Sequence, residues 1–264
     1  MAVARRARAE AVRQRDEILL ERIRALKAGH PFWGWRRVWA WLRFHDGLRI
    51  NKKRVERVMR ENGLQVKVND RLRAKRTSGR AKPRPDRPNQ WWGVDMTKVM
   101  VEGFGWSYIV LVIDWYSKKI VGHYAGMQSR SQHWLEALER AAARQFPGNG
   151  IRGKGVHLMS GNGCQPASTA FMGACARLGV EQAFTSYNNP KGNADTERMM
   201  RTMKEELLWL TEWRSPSQLE ARLAEWIDSF NDSYLHLALG YRAPNQDERQ
   251  YQNNPGPQTL LNAA

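Results

Sequence analysis

Two acids stand out by type and placement. Asp95 lies where Trp92, Val94 and Met96 alternate with Gly93, Asp95 and Thr97, a period of two that reads as a strand. A carboxylate inside a strand is disfavoured unless something pairs with it. That leaves a structural ion pair or a metal ligand. Glu197 precedes Arg201 by four residues and Lys204 by seven, so on a helix the three share one face. An acid followed by two cations suits a surface ion-pair ladder. It suits equally a metal ligand with phosphate contacts beside it. Spacing does not choose between these readings.

The elements that would hold these residues follow from hydrophobic periodicity. Residues 5–27 read as a helix with Ile18, Leu19, Ile23 and Leu26 on one stripe. Residues 34–44 form a second helix, with Trp35, Val38, Trp39 and Leu42 at i, i+3, i+4 and i+7. Asn51 caps a third helix that ends near Asn62-Gly63, with Val55, Val58 and Met59 inward and Lys52, Lys53, Arg54, Arg57 and Arg60 around them. Two short helices joined by a tight turn, the second studded with cations, suggest a helix-turn-helix. Four Trp within 33–41 are read as the core of this small domain. From Trp91 onward the pattern is three strands in an antiparallel meander (the middle one, Tyr108–Ile113, continuously apolar). A helix at 130–146, a strand at Gly155–Ser160, a helix at 167–178 and a short strand at 181–184 come next. Long helices at 193–211 and 216–231 complete the order. The fold class is α/β with a mixed sheet, preceded by a small all-α basic domain.

Charge separates the two parts. The 264 residues carry a formal net charge of +17, and the first 90 hold 26 Lys+Arg against 9 Asp+Glu, so 26 − 9 accounts for all of it. A basic block with helical patterning points to a polyanion, in the first place nucleic acid. Residues 67–90 lose apolar content and gain Pro and Arg, including Arg76, which reads as an extended linker. The domain reading is an N-terminal helix at 1–28, a helix-turn-helix-like domain at 29–66, the linker at 67–90, an α/β core at 91–250 and a tail at 251–264. No stretch approaches the roughly 18 apolar residues of a membrane span, and no apolar signal core follows the Arg-rich start, which argues against secretion. Two cysteines, Cys164 and Cys175, make no disulfide framework and fit a reducing cytosolic setting. The six histidines have no spacing with them that suggests zinc.

Several segments in order then resemble a known family. They are His30-Pro31-Phe32-Trp33-Gly34-Trp35-Arg36-Arg37, Asn51 through Leu64, Asn89 through Thr97, Ile113-Asp114-Trp115-Tyr116-Ser117, Ser160-Gly161-Asn162-Gly163, Lys191-Gly192-Asn193-Ala194, and Glu197 through Glu206. Together they resemble the second-reading-frame transposases of bacterial insertion sequences, which have a retroviral-integrase-type core. The resemblance implies a ribonuclease H-like fold and metal-dependent DNA strand cleavage and strand transfer by an Asp-Asp-Glu triad. Carried over, Asp95 is the first acid and Glu197 the third. The second belongs in a Ser-Asp-Asn-Gly motif, but here Gly161 stands in its place, with the family's thirty-five residues between 161 and 197. Asp114 ends a buried strand and is read as structural.

The resemblance further implies a site for two Mg²⁺ or Mn²⁺ ions on Asp95 and Glu197, weakened by Gly161, because glycine offers no side-chain ligand. The expected loss is at least roughly 10³-fold in rate, the scale of other lost charged catalytic groups. Implied partners are duplex DNA of the element ends and target, further copies of the chain on that DNA, and the upstream reading-frame product, alone or fused. The implied setting is the bacterial nucleoid. Arg36, Arg37, Lys52, Lys53, Arg54, Arg57 and Arg76 are the expected DNA contacts of the basic third, with Arg201 and Lys204 beside the acids. The competing expectations are a DNA-binding derivative without turnover and, behind it, a nuclease for RNA–DNA hybrids.

Overall fold

The computed structural model describes residues 2–66, 83–185 and 192–254. The chain divides into two compact units, 1–75 and 76–264. The division falls inside the stretch expected to be a linker, most of which, with Arg76, lies outside the described residues.

The first unit is three helices: α1 (Ala2–Gly29), α2 (Trp35–Phe44) and α3 (Lys52–Glu61). Leu19, Ile23 and Leu26 of α1 are buried, as are Val38, Trp39 and Leu42 of α2 and Val55, Val58 and Met59 of α3. Ile18, expected on the α1 stripe, is 65% exposed. One residue before Leu19, it is turned about 100° away from the line that Leu19, Ile23 and Leu26 share. Asn51 caps α3 as expected, its side chain accepting from the Lys53 N–H at 2.9 Å. Trp33 and Trp39 are buried, so both belong to the core of this unit.

The second unit is built on a five-stranded sheet in the order β3-β2-β1-β4-β5. The strands are β1 (Trp91–Val101), β2 (Gly105–Asp114), β3 (Ile120–Gly126), β4 (His157–Ser160) and β5 (Glu181–Phe184). The first three form the expected antiparallel meander, and β4 and β5 add in parallel. Helices α4 (Ser131–Gln145) and α5 (Thr169–Leu178) cover one face over Trp92, Val94, Val110, Val112 and Leu158. On the other face α6 (Ala194–Met203) and α7 (Pro216–Ser233) cover Ile109, Leu111, Ile113 and Met159. Residues 109–113 of β2 are therefore buried on both sides, which explains their unbroken apolar run.

Two features depart from the periodicity. The helix expected over 193–211 is α only to Met203 and continues as a π-helical turn, Lys204–Leu208. A helix α8 (Pro244–Asn253) follows where none was expected. Its apolar content is low, and ion pairs hold it: Arg242 to Asp247 at 2.7 Å, and Lys119 after β2 to Glu248 at 2.5 Å. Among the described residues no helix is long and apolar enough to cross a membrane.

Candidate active site and nucleic-acid interface

Asp95 sits in the middle of β1, the central strand, opposite Leu111 of β2. Its Oδ1 accepts from the Met96 N–H at 2.8 Å. Burial pushes the carboxyl above its ordinary range, against the opposing pull of that N–H and of the Lys204 ammonium. The Lys204 charge is therefore close enough to act on Asp95. Side chains alternate across a sheet, and Gly93 and Asp95 share the face that α6 covers.

The helix reaches that face because residue 93 is glycine. A methyl group at Gly93 would overlap Thr196 Oγ1 and Trp115 Nε1 and press on Asn193 Oδ1. In its absence the start of α6 lies directly on the strand. The buried Thr196 hydroxyl accepts from Trp115 Nε1 at 3.1 Å, and the Asn193 amide donates to the Val94 carbonyl at 3.4 Å. Lys118, in the left-handed region at φ 61°, donates to the Trp115 carbonyl at 2.5 Å and pairs with Asp195 at 3.5 Å. Glu197 follows in the next position but one and is exposed on the outer side of this seat. Gly93, Asn193, Thr196, Trp115 and Lys118 were not singled out by sequence. A glycine within a strand is the one available signal of close approach.

Position 161 follows β4 directly. In the parallel pairing of β1 and β4, Gly93 lies opposite Met159. β4 ends at Ser160, so residue 161 lies just past that pairing. The turn after β4 is anchored by the Thr185 N–H on the Ser160 carbonyl at 3.0 Å and the Asn162 amide on the Thr185 carbonyl at 2.7 Å. A Cβ at 161 would meet nothing within 4 Å, and the residue does not use a positive φ. Neither space nor backbone conformation demands glycine there.

Among the described residues no three His, Cys, Asp or Glu side chains are grouped so that they could hold a metal ion. The residues present do not fit a site for two ions. Asp114, expected to be structural, is buried and accepts from Ser117 N–H (2.8 Å), Ser117 Oγ (2.6 Å) and Asn89 N–H (3.0 Å). Cys175 is buried and Cys164 exposed.

The expected DNA contacts have different surroundings. Arg54 and Arg57 each bind one oxygen of Asp16 at 2.7 Å, and Arg57 also pairs with Glu61 at 2.9 Å. Lys52 lies over the Trp39 ring at 4.3 Å, Arg36 over Trp35 at 4.3 Å and Arg37 over Trp33 at 5.8 Å. Lys53 is exposed. In the core, Arg201 pairs with Glu205 at 2.7 Å while remaining 69% exposed.

Known proteins carry the same order of parts. Residues 14–71 match the family described as an HTH-like domain, and residues 85–190 and 178–244 match two described as integrase core domains. A putative transposase for insertion sequence element IS986/IS6110 from Mycobacterium tuberculosis is 27% identical over 90% of this chain and 89% of its own length. The transposase for insertion sequence element IS629 of Shigella sonnei is 26% identical, over 94% and 84%. Among solved structures, a chain of the simian T-cell lymphotropic virus intasome in complex with the PP2A regulatory subunit B56 gamma superposes with a TM-score of 0.52. Its identity is 16%, and the match covers 79% of this chain and 73% of that one. The fold of the core is accordingly ribonuclease H-like, and the chain joins an HTH-like domain to integrase core domains and is similar to insertion-sequence transposases over nine-tenths of its length.

Proposed function

We propose that this chain binds the ends of an insertion sequence as a transposase of the strand-transfer type and does not turn them over. The observation that carries this reading is position 161. It lies just past β4, whose recorded pairing with β1 runs to Gly93, and a side chain there would meet open space. When present, divalent metal would supply charge at a scissile phosphate, and two acids hold it poorly. What the chain's own residues retain is binding. Lys204 is close enough to act on the Asp95 carboxyl, and Lys204 and the exposed Arg201 offer cations to a DNA backbone beside it. The basic first unit supplies the remaining attraction. Further copies of the chain, and the upstream reading-frame product, are the proposed protein partners, because two ends must be brought together.

The test is Gly161→Asp in the full chain, assayed on duplexes carrying the element ends with Mg²⁺ or Mn²⁺. The expected outcome is end binding by both proteins and strand cleavage by the variant alone, at least about 10³-fold above the parent. Adding Asp95→Asn or Glu197→Gln to the variant should abolish the gain. End binding without any metal-dependent cleavage by Gly161→Asp would remove position 161 from the site. Cleavage of RNA–DNA hybrids in preference to element ends would favour the nuclease reading.

A further inference from the structure

The charged residues of α3 fall into two sets around the helix. On the side facing α1, Arg54, Arg57, Glu61 and Asp16 form a closed cluster of two cations and two acids. Their charges cancel, and both oxygens of Asp16 are taken by the two guanidinium groups. On the opposite side Lys52, Lys53 and Arg60 are exposed. Glu56 lies between them: at 100° per residue it falls about 40° from Lys52 and Arg60 and about 60° from Lys53.

Glu56 has no ion pair or hydrogen bond through its side chain among the described residues, although Arg60 follows at i+4. That spacing and order favour a pair, and the same helix makes one between Arg57 and Glu61. A lone carboxylate in the middle of a cationic face repels every phosphate alike, so it weakens binding to DNA of any sequence. Its chemistry suits a donor instead. In the major groove cytosine presents a 4-amino group, and a Glu side chain accepts from it. Lys53 and Arg60, next to Glu56 on this face, are placed for the phosphates that position a helix in the groove without carrying sequence information.

We propose that Glu56 is the base-reading residue of α3 and selects cytosine in the major groove, with Lys53 and Arg60 on the flanking phosphates. This rests on reading the first unit as DNA-binding, and it assigns Arg54 and Arg57 to holding α3 on α1.

The test is binding-site selection from randomised duplexes by the full chain, alongside titration of a random duplex at several salt concentrations. The parent should enrich a motif containing a cytosine. Glu56→Ala should lower the preference at that position at least about fivefold, while affinity for the random duplex rises. Glu56→Gln should move the preference towards adenine, which a Gln side chain reads. Lys53→Ala and Arg60→Ala should weaken binding to all duplexes, each lowering the slope of log K against log salt by about one. A motif unchanged in both Glu56 variants overturns the assignment, as does a parent that enriches no motif. In either case salt-dependent binding of the random duplex leaves the DNA reading standing. A parent that binds no duplex in a salt-dependent way removes that reading itself.

Discussion

Asp16 in the helical unit and Asp95 in the core both face cations, with opposite results. Asp16 is penalised by burial, but hydrogen bonds from Arg57 and Arg54 outweigh that and hold its carboxyl below the usual range. Asp95 is also penalised by burial, and one N–H together with Lys204 fails to compensate, so its carboxyl is raised. The first acid is saturated by its own protein and serves packing. The second is left under-compensated on a sheet face, beside a helix start that a glycine has let in. On the function proposed above, this is the acid that charge from outside would meet.

The sharpest way to break the core half of that contrast is Gly93→Ala. The added methyl meets Thr196 and Trp115, both buried and both anchored to backbone elements. Relief requires α6 to move off β1. A loss of about 3 kcal/mol or more is expected in denaturant unfolding. Hydrogen exchange should show the loss concentrated at residues 193–203, and full protection there would refute the role given to Gly93.

Glycine 93 also shows where legibility ended. Alternation around Asp95 sufficed to place it on a strand, because period two survives any tertiary context. The α3 cap at Asn51 and the apolar run of β2 were readable for the same local reason. The close approach of α6 was not, since a glycine in a strand has several meanings and only the partner, Thr196 or Trp115, decides among them. The π-helical turn after Met203 leaves no mark on periodicity, and α8 escaped because ion pairs rather than an apolar stripe hold it. Position 161 drew attention only through the resemblance; no local pattern distinguishes a glycine that replaces an acid from one that makes a turn. Within the basic third, composition disclosed the cations but not which of them Asp16 had already engaged.

Asp114 provides a third acid against which to calibrate the contrast. Burial raises it to about 6, against hydrogen bonds from Ser117 and Asn89. Its folded pKa exceeds the unfolded 3.8, so the unfolded chain ionises first as pH rises. The stability it contributes is full below about pH 4 and is lost as pH climbs to about 6, a change of about 2 to 3 kcal/mol. Asp114→Asn should flatten that window in denaturant titrations between pH 4 and 6.5, and an unchanged slope would contradict the assignment. Asp16 runs the other way. Its folded pKa is depressed, so its contribution is present above the unfolded value and lost as pH falls through the folded one. Asp16→Asn should cost about 1 to 2 kcal/mol at neutral pH. Hydrogen exchange should then speed up in α1 and α3 while the sheet stays protected.

The smallest effect expected is at Arg201, and it separates the two uses of charge within one helix. Its guanidinium pairs with Glu205 but is 69% exposed, and surface pairs at i,i+4 contribute only about 0.3 to 0.5 kcal/mol. Arg201→Ala should therefore leave stability within about 0.5 kcal/mol of the parent. If the cation meets a phosphate when DNA is bound, the same substitution lowers the salt slope of duplex binding by at most about one. Lys204→Ala should lower the slope similarly, but also raise the Asp95 pKa further, because a neighbouring positive charge that favours the ionised carboxylate is removed. A carboxyl-resolved NMR titration would register that second shift. An Asp95 titration unmoved by Lys204→Ala would leave Arg201 and Lys204 as equivalent surface cations and remove the electrostatic link between the acid and the helix.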